Sequence, residues 1–538
     1  MINIKRFRFR IFIPAFSNFN TYSSLSRFTT STGPIYVATH ANKLERWDVE
    51  VIDENNCHGR FYPRDQHHRL DHQQLQAERP ADVVGFYASI SSTIPRVYEL
   101  VQFYKRSGVK TVAGGKHVEA FVEEALAHDI DVVVLGEGEL TIKDLLLAWE
   151  HNQDLSTVQG IAFLKDGSIH ITEKRPLIHD FESHPFPDFN LLRYAKLKLY
   201  PVTRTRGCNS NCEFCAVKEK ARCSSPEYMM DQIRHLVENC GARHFFETSD
   251  HFAAHREEAI EFCDLLADYQ KRYRLRLRIS VQTRITDARY PDLLEAMRRA
   301  NIYTLCIGYD SPIDDELKLM RKGYLSKDLL RWTDTLHRYG FFIHGMFIFG
   351  YPRKSGDAPS SLSLQERAKY FREFIQKAKI DTLQVLPAIP APGSELRERL
   401  MREQRVFPLH QLGWEYYDGH FPLFMPDDGA EPEELYHCVW DMMRRFYHVG
   451  NFWSLAKGIL FYFPIIVGIN GLTIVTGSVK HLIAAYHFWY EKYCRIYLFR
   501  AGGYFIVKKW FKSLRKSIFL EKLVHAKAEL KAESMKSA

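Results

Sequence analysis

Residues 207–217 read GCNSNCEFCAV, which places Cys208, Cys212 and Cys215 at the spacing CxxxCxxC. Thiolates are soft ligands suited to iron–sulfur clusters or to zinc. Three of them in so short a loop can hold three irons of a cubane and leave the fourth open for chemistry. A structural zinc normally takes four ligands in two paired halves, and no second half lies nearby. Cys223 and Cys240 stand alone, and His235 and His244 make no recognisable pair. Cys57, Cys263, Cys306, Cys438 and Cys494 are scattered over a long chain. Reduced thiols in a reducing compartment follow, not a disulfide framework.

The loop directly follows a predicted strand, LYPVTRTR, the first of six strand-then-helix repeats. The others begin at RHFFET, LRLRISV, IYTLCIG, FFIHGMFIFG and DTLQVLP. Ser225-Pro226 opens the first helix as cap and first-turn residue. Six such units predict a partial (β/α)6 barrel over residues 195–400, with the cysteine loop at the C-terminal ends of the strands, where parallel barrels place their active sites.

Upstream, DVEVID, ADVVGFYASI, KTVAGG and DVVVLGEGE alternate with helix-like stretches such as PRVYELVQFYKRSG. That alternation predicts βαβ units and a Rossmann-like domain over residues 1–150. FRFRIFI near the start reads as its first strand and not as a signal peptide, since no small-residue cleavage site follows. Residues 151–194 read as a hairpin, turning at Asp166-Gly167, and a Pro-rich linker. Ser89 and Ser91 after one strand, and Gly114-Gly115 after another, fall where open α/β sheets bind ligands.

The cysteine spacing, with Phe214 before the last cysteine and a six-strand repeat around it, resembles the radical SAM (S-adenosylmethionine) superfamily over about residues 195–390. The resemblance implies a 4Fe-4S cluster on Cys208, Cys212 and Cys215, with SAM on the open iron. It implies cleavage of SAM to a 5′-deoxyadenosyl radical that abstracts hydrogen from substrate. It further points to Glu247, Ser249 and Asp250 for the SAM amino group, and to Ser280, Gln282 and Arg284 for its ribose or carboxylate. Gly308 and Asp310 stand where many relatives have glycine and glutamate, and Gly350 where backbone would approach adenine. For each, an ordinary polar or small residue at a strand end is the competing reading. The upstream domain resembles that of the cobalamin-dependent class, which includes hopanoid methylases and anaerobic porphyrin ring cyclases. Cobalamin on Ser89, Ser91, Gly114 and Gly115 is then expected. The lower-ligand motif DxHxxG is absent: NNCHGRF puts Asn56 and Phe61 where Asp and Gly would stand, so His58 reads as a loop histidine.

Residues 401–538 are aromatic and predicted mainly helical. The formal net charge is +8, yet residues 452–538 hold 14 Lys+Arg against 4 Asp+Glu, so the remainder is slightly acidic. The run 458–479 carries no charge, though Pro464, Gly468, Gly471 and Gly477 interrupt it. A basic, aromatic stretch such as YFIVKKWFKSLRKSIFLEKL is expected to lie on an anionic membrane surface; a buried cap over the barrel and a true span are the alternatives. No RNA-binding fold accompanies the basic residues, so no nucleic-acid partner is expected. The expected location is cytoplasmic, peripheral to the inner face of the membrane.

The sequence therefore points to a cobalamin-dependent radical SAM enzyme. Methyl transfer to an unactivated carbon of an apolar, lipid-like small-molecule substrate is the leading expectation, with flavodoxin or ferredoxin as electron donor. Oxidation or cyclisation without methyl transfer is a second reading. A non-catalytic Fe-S electron carrier or sensor is a third, from a different class.

Overall fold

The computed structural model describes residues 6–24, 26–58, 61–357, 362–457, 459–460, 495–514 and 518–537. Two parallel sheets follow one another along the chain. The first holds β1 (Phe7–Ile13), β2 (Trp47–Asp53), β3 (Val83–Tyr87), β4 (Lys110–Gly114), β5 (Val132–Val134), β6 (Ile161–Lys165), β7 (Ser168–Ile171) and β8 (Leu192–Arg193). Their order is β7-β6-β5-β4-β3-β1-β2-β8. All pairs are parallel except those of the hairpin β6–β7, which adds antiparallel to β5. Asp166 and Gly167 turn that hairpin with φ of 51° and 78°, the double positive φ of a type I′ turn. The order of strands reverses between β1 and β3, and such switch points are where open α/β sheets bind ligands.

The alternating arginines of β1 do not all face water. Arg10 is fully buried and donates to Glu50 of β2 at 2.7 Å. Glu50 also takes Arg79 at 3.1 Å and Arg193 of β8 at 2.6 Å. Burying a charge is costly unless it is paired, and this pairing fastens β8 to the sheet.

The second sheet has the six predicted strands in sequential order, all parallel: β9 (Tyr200–Val202), β10 (His244–Glu247), β11 (Arg278–Thr283), β12 (Ile302–Asp310), β13 (Phe342–Phe349) and β14 (Thr382–Pro387). Along them fully buried residues, such as Ile279, Val281, Leu305 and Ile307, alternate with half-exposed ones, such as Ser280, Gln282 and Cys306. The buried set packs under the helices, and the other set faces the lumen. Ser225 caps helix Pro226–Cys240 by accepting from the Tyr228 N–H at 3.2 Å.

The tail departs from its sequence reading. In helices Arg495–Leu514 and Phe519–Ser537, Val507, Trp510, Phe511, Phe519 and Leu523 are buried in the common core. One apolar side of these helices is thus covered by the body of the protein, while Leu498, Phe505 and Val524 on them stay exposed. Two of the tail's basic residues pair with the body: Lys522 with Glu415 at 2.9 Å, and Lys527 with Glu433 at 2.9 Å. The acidic balance of the body attracts the basic tail. Among the described residues no helix is long and apolar enough to cross a membrane. Nearly all of the uncharged run 458–479, and Cys494, lie outside the described residues.

Candidate active site between the two sheets

The cysteine loop leaves β9 and is pinched shut at its neck. Thr205-Arg206 pair antiparallel with Arg222-Cys223, and the Cys208 N–H donates to the Glu219 carbonyl at 2.9 Å. Gly207 makes this closure possible: its φ is +84°, and a Cβ there would lie 2.5 Å from the Lys220 carbonyl oxygen. Between the cysteines, Glu213 is buried and receives Arg399 at 2.8 and 3.2 Å and the Tyr351 hydroxyl at 2.7 Å. Arg399 lies on helix Glu395–Arg402, so that helix clamps the loop. Phe214 packs edge-on to Tyr351, with ring centroids 6.3 Å apart.

The thiols of Cys208, Cys212 and Cys215 are all free. Burial pushes the Cys212 and Cys215 thiols up, and each also feels the neighbouring cysteines. Among the described residues, the one trio of His, Cys, Asp or Glu ligand atoms lying within 4.8 Å of one another is Cys223, His255 and Glu258. The loop thiols are further apart than a single zinc with Zn–S of about 2.3 Å would hold them. The Cys223 trio is compromised by Arg204, which pairs with Glu258 at 2.8 Å.

Residues 247–250 after β10 brace the neck. Glu247, fully buried, accepts from the Arg204 N–H at 3.1 Å and from the Ser249 hydroxyl. Burial pushes its carboxyl up. Ser249 accepts from the Thr205 N–H at 2.7 Å, and Asp250 from the Gly207 N–H at 3.2 Å. Of this segment Thr248 and Asp250 face the large cavity described below, while Glu247 and Ser249 are turned behind the loop. Of Glu247, Ser249 and Asp250, the three residues expected to meet the SAM amino group, only Asp250 lines that cavity.

On the other side of the cysteines, Asp310, expected to take the place of a SAM-contacting glutamate, is held by a lysine. It has φ of 59° at a register shift in β12, and pairs with Lys322 at 2.6 Å. Lys322 is itself buried, 5.8 Å from the Phe214 ring centre. Desolvation is the largest influence and would lower its ammonium's pKa, but Asp310, Tyr324 and Cys212 together outweigh it and raise the pKa. No motif marked Lys322; in KLMRKGYLSK it is one of several basic residues and gave no signal. The Gly308 carbonyl accepts from the Tyr324 hydroxyl at 3.3 Å. Arg284 lies within electrostatic reach of Cys212, while Ser280 and Gln282 line the lumen. Gly350 ends β13 with φ of +73°, and a Cβ there would strike Leu435 Cδ1 at 2.3 Å. The space a side chain would need there is filled by helix Pro432–Phe446.

Between the sheets lies a cavity of 970 Å³. Its walls from the first sheet include Ile13, Asn20, Ser89, Ser92, Gly114 and Gly115, and from the barrel Gly207, Val217 and Asp250. The size is at the top of the usual range for ligand sites, about 300–1,000 Å³, and suits a macrocyclic cofactor with a tail. Gly115 has φ of +136°, and a Cβ on it would lie 2.5 Å from Ser89 Oγ. The β3 and β4 ends therefore touch and form a smooth floor. Ser91 turns away to His117 Nδ1 at 3.0 Å, and Ser92 lines the cavity in its place. His58 is outside this lining and bonds the Arg27 carbonyl at 2.9 Å. Charge joins the two halves: Arg206 meets Glu137 at 2.9 Å and Glu139 at 2.7 Å, and Lys116 meets Glu219 at 2.8 Å. Sequence reading missed this latch, although GEGE after β5 and RTR before the cysteines carried its charges.

With that geometry in hand, comparison with known proteins is direct. The B12-binding domain profile matches residues 31–146, and the radical SAM superfamily profile residues 202–381. The chain thus carries a B12-binding domain followed by a radical SAM domain, and 4Fe-4S, SAM and cobalamin are the cofactors of that pair. An uncharacterised methyltransferase of Pyrococcus horikoshii is 26% identical over 70% of this chain and 81% of its own. Hopanoid C-2 methylase of Rhodopseudomonas palustris is 27% identical over 42% of each chain. The anaerobic magnesium-protoporphyrin IX monomethyl ester cyclase of Cereibacter sphaeroides is 25% identical over 73% of this chain and 64% of its own. Two solved structures share the fold. TsrM from Kitasatospora setae, with cobalamin and a [4Fe-4S] cluster bound, has a TM-score of 0.60 at 15% identity, covering 82% of this chain and 90% of that one. OxsB with aqua-cobalamin has a TM-score of 0.62 at 12% identity, covering 98% and 84%.

Proposed function

We propose that this enzyme methylates an unactivated carbon of a small, largely apolar molecule, and that Cys208, Cys212 and Cys215 hold its cluster. The observation that carries the reading is the large cavity lined by both the cobalamin-type sheet and the neck of the cysteine loop. When bound, the cluster with SAM supplies a carbon-centred radical, and cobalamin a transferable methyl group. The chain's own work is positional. Gly207 and the Cys208–Glu219 hydrogen bond set the loop. Asp250 and Ser249 hold its neck, and Arg399 fixes the turn between the second and third cysteines. Ser89, Ser92, Gly114 and Gly115 offer hydroxyls and bare backbone to the cobalamin tail, and walls such as Ile13 and Val217 exclude water. A flavodoxin or ferredoxin would supply the electron.

The cyclase among the relatives favours a second reading, oxidation or ring closure without methyl transfer. Assay of the anaerobically reconstituted protein with candidate apolar substrates separates the two. Methyl transfer yields S-adenosylhomocysteine together with 5′-deoxyadenosine; cyclisation yields 5′-deoxyadenosine alone. Cys208→Ala, Cys212→Ala and Cys215→Ala should each lose iron and 5′-deoxyadenosine, whereas Cys223→Ala and Cys306→Ala keep both. Intact SAM cleavage in the three loop variants would overturn the assignment, and no SAM cleavage by the wild type would return the electron-carrier reading. A peripheral position on the inner face of a membrane also belongs to this proposal. It suits an apolar substrate, and its support is the exposed side of the C-terminal helices.

A further inference from the structure

The barrel has a second large cavity, of 1180 Å³, at the opposite end from the cysteine loop. Its walls come from the N-terminal ends of the strands, at Tyr303, Phe342 and Asp381, and from the C-terminal helices, at Phe446, Tyr497 and Arg500. Seven Lys or Arg side chains line it against two carboxylates, Asp334 and Asp381. Some of that charge is spent. Arg338 pairs with Asp334 at 2.7 Å, and Arg445 with Asp441 at 2.6 Å. Arg372 also reaches Asp441 at 3.5 Å, and Arg500 donates to the Ile380 and Asp381 carbonyls at 2.6 and 3.0 Å with the Asp381 carboxylate as its nearby counter-charge. Arg276 and Lys379 have no partner among the described residues.

One rim of this cavity is apolar and exposed. Helices Gly450–Lys457 and Arg495–Leu514 pack on each other and present Val449, Trp453, Leu498 and Phe505 to solvent, Trp453 at 71% and Phe505 at 61%. The uncharged run of sequence that begins at Gly458 leaves the described structure at this rim, and the chain re-enters beside it at Arg495. Cationic side chains around a concavity, flanked by exposed tryptophan and phenylalanine, are what the interface of an anionic bilayer binds. A soluble anion would need the cations but not the apolar rim.

We infer that the base of the barrel is a docking face for an anionic bilayer, with a lipid phosphate seated among Arg276, Lys379 and Arg500 and the aromatic rim in the interface. This rests on the peripheral-membrane reading given above and places it on one face, away from the catalytic mouth. The side of helix Arg495–Leu514 that buries Val507 and Trp510 is then structural, and the opposite side of the same helix is the one that meets lipid.

The test uses the full-length, cofactor-loaded protein in co-sedimentation with vesicles of phosphatidylcholine alone or with phosphatidylglycerol added. The wild type should sediment with the anionic vesicles and much less with the neutral ones. Replacing Arg276→Gln and Lys379→Gln together should lower the partition by about thirtyfold, with iron and cobalamin contents unchanged. Both side chains are exposed and without partners, so folding should tolerate the change. Wild-type binding to anionic vesicles that survives this double variant would overturn the cavity assignment while sparing the membrane reading. No sedimentation of the wild type would end both. Release of the protein by millimolar inorganic phosphate at constant ionic strength would assign the cavity to a soluble anion and overturn the lipid source.

Discussion

At the scale of single residues, the site depends on places where a side chain is forbidden. Gly115 is the sharpest. Its φ of +136° is open only to glycine, and Ser89 fills the space a Cβ would take. Gly115→Ala should push the β3 and β4 ends apart and deform the floor of the larger interdomain cavity, while the cysteine loop stays intact. The expected outcome is loss of most corrin absorbance after reconstitution, with near-normal iron content, and a stability loss of about 1–3 kcal/mol. Equal cobalamin content in variant and wild type would remove Gly115 from the cofactor floor. Gly114, by contrast, has only Val134 Cβ at 3.5 Å and should accept alanine.

At the scale of elements, the cysteine loop is held less by its own residues than by a helix far along the chain. Helix Glu395–Arg402 reaches it through Arg399–Glu213 and Lys218–Glu395, the latter at 2.8 Å. The Arg399–Glu213 pair is nearly fully buried, so removing one partner strands the other as an unpaired charge. Arg399→Met should therefore cost about 3–5 kcal/mol and lower iron retention on dilution. The double variant Arg399→Met with Glu213→Leu should recover much of the stability, because no charge is left without its partner. Thermal unfolding followed beside iron content distinguishes the effects: stability restored without iron retention would show that the clamp positions the loop as well as stabilising it.

At the scale of the whole molecule, the first sheet, the barrel and the C-terminal region share one continuous core, and a buried histidine marks where they meet. His117 lies edge-on to Trp414 with centroids 4.4 Å apart, and burial pushes its pKa down to about 3. The unfolded chain takes up this proton near pH 6.5, the folded one only near pH 3, so between those values the unfolded state binds more protons. Stability is then lost as pH falls from neutrality, by about 2 kcal/mol from this residue between pH 7 and pH 5. His117→Gln should flatten that part of the pH dependence, measured as the shift in unfolding midpoint between pH 7 and pH 5. An unchanged slope would mean that other groups carry it.

The sequence by itself determined the two sheets, the six barrel strands in order, the hairpin at Asp166-Gly167 and the cysteine loop. These are recorded in local periodicity and in residues such as Ser225-Pro226 whose effect is felt within a turn or two. Only the tertiary structure decided what each polar residue faces. Glu247 and Ser249 lie behind the loop because strand alternation after β10 puts them there. Asp310 is taken by Lys322, which is distant in pattern though near in space. Arg399 meets Glu213 across 186 residues of chain, and Ser92 replaces Ser91 at the cavity through one residue of helical rotation. The tail shows the same limit most plainly. Its composition records how much charge and apolar surface it has, but which side the body covers depends on contacts between segments, and those have no period to read.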